Sequence, residues 1–262
     1  MPLDDLIKLQ GNASMIVLIG STKGGAGKTT LATNIAVALS MVRREQGRDV
    51  LLIDGDKQES THEFCQDRAE TRNGELGFTF MQLHGQLIRD QMASLNQKYA
   101  DIIIDCGGTD NPSLRAAMLV AERMIIPVMP REIDIKSLRH TISLISEVRL
   151  YNPALRPSIV INAGDPTGQD NEATKDEIKT RYLTAPHGSS DWIDPGIDVL
   201  DGVIVRRKAL SDAWAFGLSV LEYRPRNSDA IAELIKLMAE VYGTDIQDIY
   251  DGDTTQRARA YA

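Results

Sequence analysis

Short, nearly uninterrupted apolar runs recur along the chain: MIVLIG at 15–20, DVLLID at 49–54, FTFMQL at 78–83, DIIID at 101–105, MIIPV at 124–128 and SIVIN at 158–162, with a shorter VIV at 203–205. Each has the length of a strand, and runs without polar alternation belong to strands covered on both faces. Between most of them the apolar residues take a helical spacing, over 28–46, 57–72, 85–98, 112–122 and 134–151. Another helix is expected near 169–183, and one more at 226–242, where Ile231, Leu234, Ile235 and Met238 share a face. Strand and helix alternate, which predicts an α/β fold: a mostly parallel central sheet flanked by helices. Its crossovers should place the strand C-termini on one edge, where ligands usually sit.

A chain of 262 residues with 42% hydrophobic content can bury a large core. No repeat or low-complexity linker divides it, so 15–243 is expected to be one domain, after a short extension at 1–14 and before a polar tail at 244–262. The extension is short and acidic, without a signal-peptide core, and no run reaches the ~18 apolar residues of a spanning helix. Together with two isolated cysteines, Cys65 and Cys106, this points to a reducing cytoplasm. The formal charge of −8 provides no global attraction to nucleic acid or anionic lipid, so any such binding needs a local patch. Between 162 and 202 the chain is acidic, with Asp165, Asp170, Glu172, Asp176, Glu177, Asp191, Asp194, Asp198 and Asp201 against Lys175, Lys179 and Arg181. The stretch 164–202 is expected to be a solvated excursion rather than a separate domain.

The residues richest in chemistry follow the first apolar run: STKGGAGKTT at 21–30. A glycine-rich turn between a strand and a helix gathers backbone N–H groups around a hollow that suits a polyphosphate, and the helix N-terminus adds partial positive charge. Gly24, Gly25, Ala26 and Gly27 would line the cradle, and Lys28 would reach the β/γ oxygens. The Thr29 hydroxyl would ligate Mg²⁺, and Thr30 would add an α-phosphate contact or a helix cap. The strict G-x-x-x-x-G-K-[ST] pattern is not met, because Thr22 holds its first position; K-G-G-x-G-K-T stands instead.

KGGAGKTT at 23–30 resembles the deviant P-loop of the ParA/MinD ATPases, and the resemblance extends over roughly 15–242. It implies a P-loop NTPase fold, ATP and Mg²⁺ as ligands, ATP hydrolysis with slow intrinsic turnover, and a homodimer that forms on ATP binding. Lys23 takes the place of the signature lysine that reaches the partner subunit's nucleotide and supplies charge there, as an arginine finger does.

Asp54-Gly55-Asp56-Lys57-Gln58 resembles the family's D-x-D-P-Q segment, with Lys57 in place of proline. Two carboxylates at i and i+2 on a strand end project to one side. By resemblance Asp56 would orient the attacking water and Asp54 would support the metal through its waters. Ile103-Ile104-Asp105 has the form of a Walker B strand, with Asp105 placed to hold a Mg²⁺-bound water and Gly107-Gly108 free to switch. Ile126-Pro127-Val128-Met129-Pro130 followed by Asp134 resembles the strand and dimer-facing loop of the family. Asn162 stands where relatives contact adenine, a position a turn asparagine fills equally well.

The segment 203–226 resembles the C-terminal part of plasmid and chromosome partition ATPases of the ParA type, whose dimers bind double-stranded DNA without sequence preference. Arg206, Arg207, Lys208, Arg224 and Arg226 are the candidate contacts, although charge clusters are commonly solvated faces. A ParB-like centromere-binding partner and nucleoid association are implied by resemblance alone. The extension at 1–14 is too short for a helix-turn-helix, so operator recognition is not expected. A MinD-like membrane ATPase needs a basic amphipathic terminus, whereas the tail here carries four aspartates before two arginines. An iron-protein-type reductase needs cluster cysteines that Cys65 and Cys106 do not match, and an ATP-dependent ligase has no use for Lys23. A positioning ATPase for a protein compartment or receptor cluster remains an alternative with the same engine.

Overall fold

The computed structural model describes residues 15–45, 49–108, 110–184 and 195–242. The expected extension at 1–14, the tail at 244–262, and Asp191 and Asp194 lie outside the described residues. The elements run β1 (Met15–Ile19), α1 (Lys28–Glu45), β2 (Val50–Asp54), α2 (Ser60–Thr71), β3 (Thr79–Gln82), α3 (Gln86–Leu95), β4 (Asp101–Asp105) and α4 (Pro112–Val120). They continue with β5 (Arg123–Val128), α5 (Glu132–Arg149), β6 (Arg156–Gly164), α6 (Gln169–Ile178) and a π-helical turn at Lys179–Leu183. β7 (Asp198–Val205), α7 (Lys208–Trp214) and α8 (Ser228–Tyr242) complete the described chain.

The strands form one seven-stranded sheet in the order β3-β2-β4-β1-β5-β6-β7, and every pair is parallel. Strand periodicity divides the core in two. Val17, Ile19, Val50, Leu52 and Ile103 pack on one face with Leu31, Ile35, Phe64, Leu234 and Met238. Ile16, Leu18, Leu51, Ile53, Ile102 and Ile104 pack on the other with Ile88, Leu114, Leu138 and Ile145. Helices thus cover both faces, as runs of unalternated apolar residues require.

The last strand differs from expectation. It begins at Asp198, inside the acidic stretch, rather than at 203. As an edge strand it buries only alternate side chains, with Leu200, Gly202 and Ile204 inward and Asp198 and Asp201 exposed, so its signal is polar alternation instead of an apolar run. The helix expected from 57 starts at Ser60, because Glu59 takes a left-handed φ of 58° and interrupts the helical turn before it.

Candidate functional site

β1 runs straight into the glycine loop, and α1 begins at Lys28. Gly25 and Gly27 have φ of 75° and 83°, a region that suits glycine. A Cβ added at Gly24 or Gly25 would meet nothing within 4 Å, so the outer wall of the loop is open to a ligand. The inner side is braced at three points. Thr22 N donates to Thr141 Oγ1 at 3.1 Å and the two hydroxyls pair at 2.9 Å. Lys28 Nζ donates to the Lys23 carbonyl at 2.8 Å, and Asn162 Nδ2 donates to the Ala26 carbonyl at 2.7 Å. Lys28 is 7% exposed. Burial pushes its ammonium pKa down, against the opposing pull of Asp105 and Asp56, so an incoming anion restores favourable surroundings to a poorly hydrated cation.

The parallel register places Ile19, the last residue of β1, beside Asp105, and Asp105 beside Asp54. Topology alone therefore brings the loop and both strand-end carboxylates to one edge of the sheet. Asp105 Oδ2 accepts from Thr29 Oγ1 and from Thr61 Oγ1, each at 2.7 Å. Burial raises the pKa of the Asp105 carboxyl, and the two hydroxyl donors oppose that rise. Asp54 is buried, and its oxygens accept from the backbone N–H groups of Asp56 at 3.0 Å and His62 at 3.2 Å. Burial pushes its pKa up to about 6. Asp56 is half-buried, and its Oδ1 accepts from Gln58 N at 3.1 Å.

The Gly107-Gly108 pair after β4 has a steric cause. A Cβ at Gly107 would lie 2.6 Å from the Asp56 carboxyl, and one at Gly108 would lie 2.4 Å from Gly24 Cα. Gly107 thus lies against the Asp56 side chain, and Gly108 is packed backbone to backbone against the phosphate loop.

Three carboxylates around one buried lysine leave a local excess of negative charge that a divalent cation would offset. Among the described residues no group of three or more His, Cys, Asp or Glu side chains forms a self-sufficient metal cage. The donors present, a threonine hydroxyl hydrogen-bonded to a carboxylate at a phosphate loop, fit Mg²⁺, which keeps waters and phosphate oxygens as its other ligands.

Lys28, Thr29, Asp54, Asp56 and Asp105 are therefore gathered in one place, with Lys23 at the rim, 38% exposed. Asn162 is buried, and its amide nitrogen holds the underside of the loop, so close to Gly27 that a Cβ there would lie 2.2 Å from Nδ2. Two of the five basic candidates already have acidic partners. Arg207 pairs with Asp229 at 3.2 Å and Glu233 at 2.7 Å, and Lys208 pairs with Asp212 at 2.7 Å. Arg206, Arg224 and Arg226 are exposed, without an acidic partner among the described residues. Thr61 and Thr141 were not singled out from sequence; each is a threonine in an ordinary helix, and only distant contacts give it a role.

Residues 17–220 match the CobQ/CobB/MinD/ParA nucleotide binding domain family. Among curated relatives, maintenance of carboxysome distribution protein A of Halothiobacillus neapolitanus is 23% identical over 234 residues, which cover 89% of this chain and 99% of the relative. The chromosome partitioning protein ParA of Caulobacter vibrioides is 24% identical, over 89% of this chain and 96% of its own. Among solved structures, the McdA–ATP complex of Cyanothece superposes with a TM-score of 0.66 at 16% identity, covering 90% of this chain and 98% of that one. The cell division ATPase MinD of Pyrococcus furiosus superposes with a TM-score of 0.62 at 21% identity, covering 87% and 98%. At such identities the superpositions speak for the fold. The family match, which extends from β1 to beyond α7, is the stronger finding: the chain belongs to the CobQ/CobB/MinD/ParA nucleotide binding domain family.

Proposed function

We propose that this protein is a Mg·ATP-dependent dimerising ATPase of the ParA type that positions a cargo by binding DNA without sequence preference and letting go on hydrolysis. The observation that carries the reading is the convergence of Lys28, Thr29 and Asp105 at the loop with Asp54 and Asp56 beside them. Lys28 and the loop N–H groups would bind the β/γ oxygens. Thr29 and Asp105, with Asp54 behind, would hold Mg²⁺, whose chemistry is to neutralise charge on the phosphoryl oxygens. Asp56, at the half-exposed mouth, would orient the attacking water, and Lys23 would supply positive charge to the partner subunit's nucleotide. The net reaction is ATP + H₂O to ADP + phosphate, and its use is a change of association state.

Relatives named for carboxysome distribution and for chromosome partitioning match over similar shares of the chain, which supports a common engine carrying different cargoes. For DNA contact the structure favours Arg206, Arg224 and Arg226 over Arg207 and Lys208, whose charges are already paired. Among the described residues no helix is long and apolar enough to cross a membrane. The reading is tested by binding to random double-stranded DNA with ATP, with ADP and without nucleotide, across a salt series. ATP-dependent binding that weakens steeply with salt and disappears in Lys23→Ala is expected. Equal binding in all three nucleotide states contradicts the switch, and no binding in any of them removes DNA as the track.

A further inference from the structure

Thr61 lies in the first turn of α2 and is fully buried. No carbonyl of a preceding helical turn is available to its hydroxyl there, unlike that of Thr33, which turns back to the Thr29 carbonyl at 2.8 Å. Thr61 Oγ1 instead donates to Asp105 Oδ2 at 2.7 Å, the same oxygen that accepts from Thr29 Oγ1 at 2.7 Å. Hydroxyls from two helices thus hold one carboxylate oxygen, and no hydrogen bond among the described residues reaches the other. The same turn of α2 is tied to the neighbouring strand end. Glu59, just before the helix, provides no side-chain cap; His62 N donates to Asp54 Oδ2 at 3.2 Å, and Glu59 N donates to the Asp56 carbonyl at 3.3 Å. A site carboxylate therefore satisfies a helix start that has no cap of its own. Asp56 sits on a loop that leaves β2 at Asp54 and is pinned at its far end to Asp105 through Thr61.

We propose that Thr61 is a positioning residue for the Mg²⁺ site: it acts through Asp105, holding that carboxylate in one orientation for the metal and tying the loop that bears Asp56 to it. The inference rests on the reading of Thr29 and Asp105 as the metal side of an ATP site. Hydrogen-bond partners that orient a metal-side ligand carry about 10–100-fold in metal affinity. Lys28, the residue assigned to the phosphates, bonds to the Lys23 carbonyl rather than to Thr61, so nucleotide affinity without metal does not depend on this hydroxyl.

Calorimetry of ATP binding to the full chain, in EDTA and across a Mg²⁺ series, tests this. Wild type should gain ATP affinity as Mg²⁺ rises. Thr61→Val keeps the side-chain shape and removes the donor, and should need about 10–100 times more Mg²⁺ for half of that gain. In EDTA it should bind ATP as tightly as wild type, whereas a merely structural role would weaken binding equally with and without metal. Thr61→Ser restores the hydroxyl and should restore the wild-type Mg²⁺ midpoint. Thr61→Ala carries the same expectation as Thr61→Val and replaces it if the buried valine prevents folding. A midpoint equal to wild type in the variant without a hydroxyl overturns the inference, as does equal weakening in EDTA and in Mg²⁺, or a Thr61→Ser protein that behaves like Thr61→Val. A wild type whose ATP binding is indifferent to Mg²⁺ removes the metal reading and this inference with it, and a wild type that binds no ATP removes the nucleotide site as well.

Discussion

Replacing Gly108 by alanine should disable the site without altering any residue expected to touch nucleotide. The new Cβ would lie 2.4 Å from Gly24 Cα, 2.5 Å from Gly24 N and 2.8 Å from Lys23 C. All three are backbone atoms, so no rotamer change relieves the overlap, and ordinary contact demands a displacement of ~1 Å. Neither side yields easily. The loop is braced by Thr141 and Asn162, and Gly108 follows β4 after only two residues. Overpacking of this kind costs about 1–3 kcal/mol. At 2–4 °C per kcal/mol for a chain near this size, the melting temperature should fall by about 2–12 °C. Gly24→Ala is the comparator: a Cβ there meets nothing within 4 Å, so stability should stay within about 0.5 kcal/mol of wild type. Its methyl would instead project from the open wall and obstruct phosphate. Thermal unfolding with and without Mg·ATP separates the two, since ligand at a hundred times its Kd adds about 2.7 kcal/mol. Gly108→Ala should melt low and lose the ATP shift, whereas Gly24→Ala should melt like wild type and lose only the shift. A Gly108→Ala protein that melts within about 1 °C of wild type and keeps the full shift refutes the packing argument.

Lys28→Ala should abolish ATP binding in calorimetry, and unchanged affinity would remove the loop from the site. Asp54 titrates near 6 when folded against its ordinary 3.8, so the folded chain holds a proton there that the unfolded chain has released. Stability contributed by this group is full below the unfolded value and is lost as pH rises through about 6. In metal-free buffer, urea unfolding should therefore show wild type losing ground to Asp54→Asn across that window, and parallel pH profiles would contradict the burial argument. Arg68 is buried, pairs with Glu222 at 2.7 Å and donates to the carbonyls of Leu76 and Gly217, tying α2 to the segment after α7. Arg68→Ala should cost about 3–5 kcal/mol in urea unfolding, and a loss below about 1 kcal/mol would mean that Arg72 alone satisfies Glu222.

The central strands were legible in the sequence because double-sided burial writes itself as apolar runs, and the loop because glycine and lysine at fixed spacing have few other uses. Asp54 and Asp105 could be placed at strand ends from their runs. Their adjacency needed the order β2-β4-β1, which no local pattern encodes. β7 was shortened because an edge strand buries one face only. Thr61 carries no local signal because its partner, Asp105, is 44 residues away, and the ion pairs of Arg207 are equally hidden because Asp229 and Glu233 lie on the next helix. Asn162 could be placed near a strand end from its run, but not its hold on the Ala26 carbonyl, which lies 136 residues earlier.

The central claim is that this site converts bound ATP into association. It is tested most directly by the sedimentation of Asp56→Ala, which removes the residue assigned to orient water and leaves the loop intact, with Mg·ATP, Mg·ADP and no nucleotide. A persistent dimer with Mg·ATP and a monomer in the other two states is the result the account predicts. A monomer in all three states, with ATP demonstrably bound, would contradict it.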